Sequence, residues 1–239
     1  MLADALALAN LEKETLQTIA RIGLFEQMGS ISDNASRCIN KIHGGAVNAN
    51  LSFEIDIGLR GDRGQQVKRR IDIAAQVVAI TPANPRTHSA SYSVIFCNGL
   101  TPSNSTVLRK FHFDYETVEF RNHAEPKPTS HLQICGKLSR YHTDAGYTDQ
   151  HIEVWIPSLE KPRIPVQPTS LALLVNWILI ECSTDRNAAR ILKDDEWRSL
   201  VRKAERKILL PYYKSAAEFL ELQRNADISF YDRQLYERS

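Results

Sequence analysis

Apolar residues change their spacing twice along the chain, and these changes divide it into a helical start, a sheet and a helical end. Residues 3–28 place apolar side chains at helical spacing, which predicts an amphipathic helix with Glu12 on its polar side. From Phe53 onward, apolar and polar residues alternate, as is typical of strands with one buried face. Beyond Pro168 the apolar residues return to helical spacing.

The alternating region predicts five or six strands. Turns rich in glycine, proline and asparagine separate these strands, which favours an antiparallel meander. Residues 30–50 and 139–150 show no clear period and are predicted to be loops, and the prolines of 157–168 favour an extended, irregular segment. The predicted strands are residues 53–59, 71–80, 91–96, 107–116 and 129–138, with a sixth, shorter strand at 152–156.

The C-terminal part of the chain predicts several helices. Thr169 or Ser170 can cap a helix that continues to about Cys182. This helix is apolar nearly all round, which indicates that it is buried against the sheet. Further helices are predicted to follow the caps Asp185 and Asp194, and a last one, about 211–224, has Pro211 in its first turn.

The order of these elements predicts an α+β fold. It consists of an N-terminal helix, an antiparallel five- or six-stranded meander sheet, and C-terminal helices packed on one face of that sheet. We expect residues 1–182 to form the core domain and residues 183–239 to form a helical extension packed on the core.

Composition limits the class of protein further. The chain has 239 residues, 43% of them hydrophobic and 24% charged, with a formal net charge of +2. These values are typical of a soluble globular protein and do not single out nucleic acid as a partner. The longest apolar run, Leu171 to Ile180, is half of the roughly 20 residues that span a bilayer. The chain has four cysteines and no Cys-x-x-Cys pair, so we expect a cytoplasmic protein with reduced thiols, no membrane contact and no cofactor.

Polar side chains gather in residues 109–168, which hold five of the seven histidines. His112 and Asp114 lie two residues apart in a predicted strand, so they share one face of it. His131 lies in the next predicted strand, and Arg163 follows in an Arg-Ile-Pro tripeptide. We therefore expect these four side chains to cluster at one face or edge of the sheet.

Three short motifs follow one another in the same region: Phe-His-Phe-Asp-Tyr at 111–115, Pro-Thr-Ser-His-Leu at 128–132 and Pro-Arg-Ile-Pro-Val at 162–166. Their order and spacing resemble a bacterial family found in mobile elements and phage-defence neighbourhoods, although this chain has no histidine directly before Pro128. A fainter likeness is to TumE-type toxin ribonucleases, which pair an Arg-Tyr-Asp-like strand with a later strand that contains histidine. The resemblance implies a defence or toxin context, with RNA or another protein of the same operon as partner.

One hypothesis is therefore a phage-defence or toxin-type protein that acts on RNA as a metal-independent ribonuclease. Such an enzyme needs an acid, a base and a cation on the phosphate. His131 and His112 would share the proton transfers, because imidazole titrates near neutral pH. Asp114 would orient a histidine, and Arg163 would bind phosphate through its planar fork. The RNA backbone would lie on the basic residues of one C-terminal helix, which are Arg198, Arg202, Lys203, Arg206 and Lys207.

Other interpretations of the same residues stay open. The alternative function is a non-catalytic binding or scaffold subunit of a bacterial defence complex, in which Arg163 simply pairs with Asp114. A metal site would use the two imidazoles and the carboxylate of His112, Asp114 and His131. A thiol mechanism would use Cys135, although a cysteine in an apolar strand is usually inert.

Overall fold

The computed structural model combines one antiparallel sheet with several helices. It describes residues 5–22, 46–58, 66–81, 84–98, 105–116, 130–134, 138–147, 163–183 and 186–222. Within these ranges the chain has the predicted α+β class, because helical and strand segments follow one another in blocks. None of the helices in these ranges has both the length and the apolar character that a membrane span requires.

Four long strands form the body of the sheet, and two short strands extend it at one edge. The strands lie side by side in chain order, and every neighbouring pair is antiparallel. They are β1 (Ala46–Gly58), β2 (Gln66–Thr81), β3 (Asn84–Asn98), β4 (Thr106–Glu116), β5 (Ser130–Ile134) and β6 (Arg163–Pro165).

Helices precede the sheet, interrupt it after β5 and follow it. A π-helical turn, Glu205–Leu209, joins the last two helices without a break. The helices are α1 (Ala5–Arg21), α2 (Arg140–Asp144), α3 (Leu171–Glu181), α4 (Arg186–Ile191), α5 (Asp195–Ala204) and α6 (Leu210–Leu222).

Alternation along the strands gives the sheet two different faces. Ile71 and Ile73 of β2 lie opposite Phe96 and Val94 of β3, and all four are buried in the main core. Core residues of α1, α3, α4 and α5 pack on the same side, so we call these helices the helix layer. The strand residues that alternate with these core residues point to the opposite side of the sheet, because successive side chains of a strand alternate. This polar face carries Asp72, Ser91, Ser93, Lys110, His112 and Asp114.

Two tryptophans position the helix layer: Trp177 packs on the sheet, and Trp197 joins α5 to α3. Trp177 of α3 packs edge-on against Phe111 and Phe113 of β4, with ring centroids 6.0 and 6.3 Å apart. Trp197 of α5 is fully buried, and its Nε1 donates to Oδ1 of Asn176 at 3.1 Å. A buried tryptophan with a partner for its N–H adds a large apolar area without leaving a polar atom unsatisfied. These contacts set Phe111 and Phe113 beneath α3, and so set Lys110, His112 and Asp114 on the polar face.

A buried carboxyl group ties three elements of the fold together. Glu12 of α1 accepts a 2.6 Å hydrogen bond from the Tyr92 hydroxyl of β3, and also accepts from the backbone N–H of Leu171 at 3.0 Å. Ser170 accepts from the N–H of Leu173 at the same helix start. The two side chains thereby satisfy N–H groups that the first turn of a helix leaves without intrahelical partners. The prediction of Glu12 on the polar side of α1 is wrong, because partners distant in sequence make its burial possible.

Three segments differ from the predicted secondary structure. β1 begins at Ala46, inside a predicted loop, and α2 lies inside the predicted loop 139–150. β6 lies in the segment 157–168, which was predicted to be irregular, and it pairs with β5. In each case local propensity is weak and packing on the sheet decides the conformation. The predicted strand at 152–156 lies outside the described residues.

The helix starts show how far cap residues predict structure. Ser170 and Asp194 are confirmed as caps, since their side chains accept from the N–H groups of Leu173 and Trp197. Asp185 lies outside the described residues. The division of the chain at residue 182 stays a prediction.

Pro211 does not begin a separate helix. The helical backbone continues from α5 through the π-helical turn into α6. Proline has no N–H to donate to the carbonyl of Lys207 four residues earlier, so a regular α-helix would be broken here. The π-helical turn widens the backbone just before the proline and lets the helix continue. The predicted last helix with Pro211 in its first turn is therefore confirmed as α6, although its backbone continues from α5 without a break.

The buried carboxyl predicts a pH-dependent stability. Burial raises the pKa of Glu12 from 4.5 to about 7, although the hydrogen bonds from Tyr92 and Leu171 oppose the shift. Between these two pH values the folded protein holds a proton that the unfolded chain releases. The contribution of this group is therefore complete below about pH 4.5 and falls by about 3 kcal/mol as pH rises through 7.

Glu12→Gln removes this titration and keeps an oxygen acceptor and a polar group for Tyr92. Between about pH 5 and about pH 8 the wild type loses the contribution of Glu12 and the variant does not. We therefore expect the free energy of unfolding of Glu12→Gln, measured in urea, to rise by about 2 to 3 kcal/mol relative to that of the wild type over this range. Glu14→Gln is the matched control, because Glu14 is partly exposed beside Lys203. A Glu12→Gln difference that does not vary with pH would contradict the burial of a protonated carboxyl.

Candidate functional site on the polar face of the sheet

Asp114 of β4 lies between polar side chains of both neighbouring strands. The Ser91 hydroxyl of β3 donates to Asp114 Oδ1 at 2.6 Å. On the other side, Nε2 of His131 in β5 lies 3.6 Å from Asp114 Oδ2. The register explains this arrangement, since Ser91, Asp114 and His131 are direct cross-strand partners and such residues share a face.

The Asp114 carboxylate and the His131 imidazole have different access to solvent. The Asp114 side chain is 20% exposed, whereas His131 is only 2% exposed. At 3.6 Å the carboxylate is near enough to attract a protonated imidazole but too far for a short, direct hydrogen bond. Asp114 can therefore stabilise a positive charge that develops on His131. The pair is open to solvent on the side of Asp114.

His112 lies on the same face of β4, two residues before Asp114. It is the cross-strand partner of Ser93 in β3 and of Gln133 in β5. Since His131 lies two residues from Gln133, the two histidines occupy diagonal positions, which are about 7 to 8 Å apart in an antiparallel sheet. The structure thus brings His112, Asp114 and His131 to one surface of β4 and β5.

The backbone of Arg163 belongs to the same part of the sheet. Arg163 is the cross-strand partner of Gln133, which in turn is the partner of His112. It therefore occupies the end of the cross-strand row that contains His112. β6 brings it there, although this segment was predicted to be irregular.

The basic residues of the last helices lie on the other side of the sheet. α5 buries Trp197, Leu200 and Val201 in the main core beneath the helix layer. Its basic residues point away from that core, and Lys203 contacts Glu14 of α1. The sheet therefore separates these charges from the histidines, so the two groups do not share one surface. The binding of RNA by the basic residues stays a prediction. The exposed or half-buried basic residues concerned are Arg198, Arg202, Lys203, Arg206 and Lys207.

A second polar cluster on the same face was missed by the sequence analysis. The Tyr147 hydroxyl donates to a carboxylate oxygen of buried Asp72, and Arg70 Nε donates to Asp72 Oδ1 at 3.0 Å. Asp72 alternates with Ile71 and Ile73, and this pattern places it on the polar face without revealing that it is buried. Its cover comes from residues 138–147, and all of these except Leu138 lie in the predicted loop 139–150.

His142 is the buried centre of this cover. Two hydroxyl oxygens lie within hydrogen-bonding distance of its Nδ1, that of Ser139 at 2.9 Å and that of Ser93 at 3.3 Å. Burial lowers the pKa of His142 to about 4; the Asp72 charge opposes this shift, whereas His112 and Lys110 add to it. His142 therefore stays neutral near pH 7, where a buried charge beside two other basic groups would be costly.

The thiol of Cys97 lies beneath the same cover and is poorly suited to nucleophilic chemistry. Cys97 is fully buried with Ile95, Val107 and Tyr147. Burial, with the Asp72 charge, raises the pKa of Cys97 to about 12. A thiol with such a pKa remains protonated near neutral pH, and the thiolate is the reactive form. Cys135, the cysteine of the thiol hypothesis, lies outside the described residues.

The metal hypothesis requires the imidazoles and the carboxylate to converge on one point. In the described part of the chain, no group of three histidine, cysteine, aspartate or glutamate residues has an arrangement that could hold a metal ion. His112, Asp114 and His131 share a surface without forming such a group. Their geometry fits proton transfer and charge stabilisation better than it fits coordination.

Comparisons with known proteins add no family to this picture. The chain matches no protein-family model, no curated protein and no solved structure. The function must therefore be argued from the residues of the polar face.

The neutral, buried His142 predicts a loss of stability in acid. Its folded pKa of about 4 lies below the 6.5 of an ordinary histidine. Between about pH 6.5 and 4 the unfolded chain takes up a proton that the folded protein does not. The stability that His142 contributes is complete above that window, and about 3 kcal/mol of it is lost as pH falls through it.

We therefore expect the stability advantage of the wild type over His142→Asn to shrink by about 3 kcal/mol between about pH 7 and pH 4. Urea unfolding of both proteins at matched pH values measures this difference. An advantage that grows on acidification would mean that His142 is charged in the folded protein and would contradict the burial described above.

Proposed function

We propose that the protein acts on RNA as a metal-independent endoribonuclease of the phage-defence or toxin type. The observation that carries this proposal is the Asp114 carboxylate held between the Ser91 hydroxyl and the His131 imidazole. A fixed carboxylate beside an imidazole is suited to stabilise the imidazolium that forms when histidine acts as a base. The diagonal position of His112 supplies a second imidazole for the opposite proton transfer.

The reaction needs no group beyond the RNA and these side chains. His131 takes the proton of a ribose 2′-hydroxyl, and the 2′-oxygen attacks the adjacent phosphorus. The bond to the 5′-oxygen breaks, and His112 gives that oxygen a proton. The products are a 2′,3′-cyclic phosphate and a free 5′-hydroxyl, with each proton accounted for by one histidine. Arg163 is proposed to bind the phosphate, whose charge increases in the transition state.

This proposal assigns separate roles to the two sides of a five- or six-stranded sheet. The C-terminal helices packed on one face stabilise the fold, and the polar face carries the chemistry. Because the proposed substrate is RNA, we propose that the protein acts in the cytoplasm. A second protein of a toxin–antitoxin or defence operon would bind it and control its activity.

One specific observation favours an alternative, a non-catalytic scaffold subunit of a defence complex. Leu210, Tyr213, Ala217 and Leu220 are exposed on α6. They recur at intervals of three and four residues, so they form one stripe along the helix. An apolar stripe of this kind suits a partner helix, and in this alternative His131 and Asp114 serve only to stabilise the sheet.

RNA cleavage in the presence of EDTA tests the proposed function. We expect the purified protein to cut single-stranded RNA and to leave 2′,3′-cyclic phosphate ends. His131→Gln should lower the rate by about a hundred- to ten-thousandfold, the usual contribution of a general acid or base. Asp114→Asn should give a smaller loss, because it acts through His131.

Arg190→Gln is the matched control, because it changes one exposed charge of α4 on the far side of the sheet. Its cleavage rate should equal that of the wild type. Thermal unfolding of each variant shows whether a lost rate reflects lost fold. If the wild-type protein has no activity, or if folded His131→Gln has full activity, the proposal that the protein is a ribonuclease is wrong.

In cells, we expect induced expression of the wild type to inhibit growth, and we expect expression of His131→Gln not to inhibit it.

A further inference from the structure

The polar face is covered next to His112 by a small unit with its own anchors. Residues 138–147 contain α2 and a turn in which Gly146 has a φ of 96°. His142 contacts Ser93, the cross-strand neighbour of His112, and the Tyr147 hydroxyl donates to Asp72. The unit therefore lies directly beside the proposed catalytic surface.

The apolar contacts of this unit are separate from the main core. Tyr147 packs with Ile95, Cys97 and Val107, and Leu138 and Ala145 lie partly buried against this small cluster. The main core lies on the opposite face, under the helix layer. Units with few buried apolar contacts open locally at a lower free energy than the whole protein unfolds. Residues 138–147 can thus lift without disturbing the main core.

A cation lies beneath this cover. Lys110 of β4 is on the polar face two residues before His112, and it is only 2% exposed. Its charge lies near enough to His142 to affect that ring. Lys110, His112 and Asp114 form a row of alternate residues, each about 6.5 Å from the next along a strand. The spacing between Lys110 and His112 is similar to the distance between successive phosphates of an extended RNA strand.

We infer that residues 138–147 are a lid, and that its opening allows Lys110 to bind a phosphate of single-stranded RNA next to His112. The inference rests on the proposed function and adds a phosphate-binding residue to it. It also supplies a positive charge on the correct side of the sheet, where the basic residues of α5 cannot reach. Lys110 and the lid account for how a mostly buried polar surface becomes accessible to a polyanion.

Cys97 is a built-in reporter of lid opening, because Tyr147 covers it. Its modification by N-ethylmaleimide near neutral pH can be followed at the level of single peptides by mass spectrometry. We expect a rate that hardly changes at low urea concentration, as local opening predicts. Tyr147→Phe keeps the ring but removes the hydrogen bond to Asp72, so it should raise the rate by about tenfold or more.

Tyr213→Phe is the matched control, because Tyr213 donates to Gln167 on the surface away from the lid. It should leave the modification of Cys97 unchanged. Modification of Cys97 that rises steeply with urea from the lowest concentrations would mean that only global unfolding exposes the thiol. That result, or equal rates of Cys97 modification in Tyr147→Phe and the wild type, would overturn the inference that residues 138–147 open as a lid.

The RNA half of the inference is tested by binding of a 2′-O-methyl oligouridylate, which cannot be cleaved by its own 2′-hydroxyl. Lys110→Met should weaken binding and lower the slope of log affinity against log salt by about 0.7, the effect of one lost phosphate contact on a single strand. Arg190→Met, which removes one exposed charge of α4, should leave the slope unchanged. Saturating oligouridylate should also speed the modification of Cys97, since bound RNA holds the lid open.

These outcomes separate the inference from the proposed function. If folded Lys110→Met binds RNA normally, with an unchanged slope of log affinity against log salt, the inference about Lys110 is wrong. The proposed ribonuclease function is not affected by that result. Absence of binding by the wild type would overturn the proposed function, and the phosphate role of Lys110 with it. In that case the rate of Cys97 modification still decides whether residues 138–147 open as a unit.

Discussion

The burial of one carboxyl group, that of Glu12, determines how the helices sit on the sheet. Glu12 joins α1 to β3 through Tyr92 and to the start of α3 through the N–H of Leu171. A buried carboxyl is costly unless its polar atoms have partners, so the three elements must keep this arrangement together. The aromatic contacts of Trp177 with β4 then follow, because α3 is fixed at its first turn. Fixing the helix layer on this side leaves the opposite side of the sheet for polar residues.

The two faces of the sheet explain why the proposed chemistry is located on β4 and β5. Each residue of β4 that packs under α3 commits its neighbours to the polar face. Direct cross-strand pairing then aligns Ser91, Asp114 and His131 in one row. The same alternation places Lys110 and Asp72 under the lid. A network of this kind is stable only where its polar groups have partners, and the hydrogen bonds of Asp72 with Arg70 and Tyr147 meet that need.

The parts of this structure that could be predicted are those that depend on local order in the sequence. Period-two alternation places His112 and Asp114 on one face, and Asp194 caps its helix through a residue three positions away. The missed features depend on distant partners. Glu12 and Leu171 are separated by 159 positions, and Asp72 and Tyr147 by 75. No local pattern contains these pairings, so the burial of Glu12 and the role of residues 138–147 emerged only from the fold. The same is true of Arg163, which β6 brings to the sheet.

The location of bound RNA tests the central claim, that the polar face and not the basic helix is the functional surface. Photocrosslinking of single-stranded RNA containing 4-thiouridine, followed by identification of the crosslinked peptides, measures this location directly. The account predicts crosslinks to peptides from β4 and β5, and to the lid peptide that contains residues 138–147. Crosslinks confined to α5 and α6, or no specific crosslink at all, would contradict it.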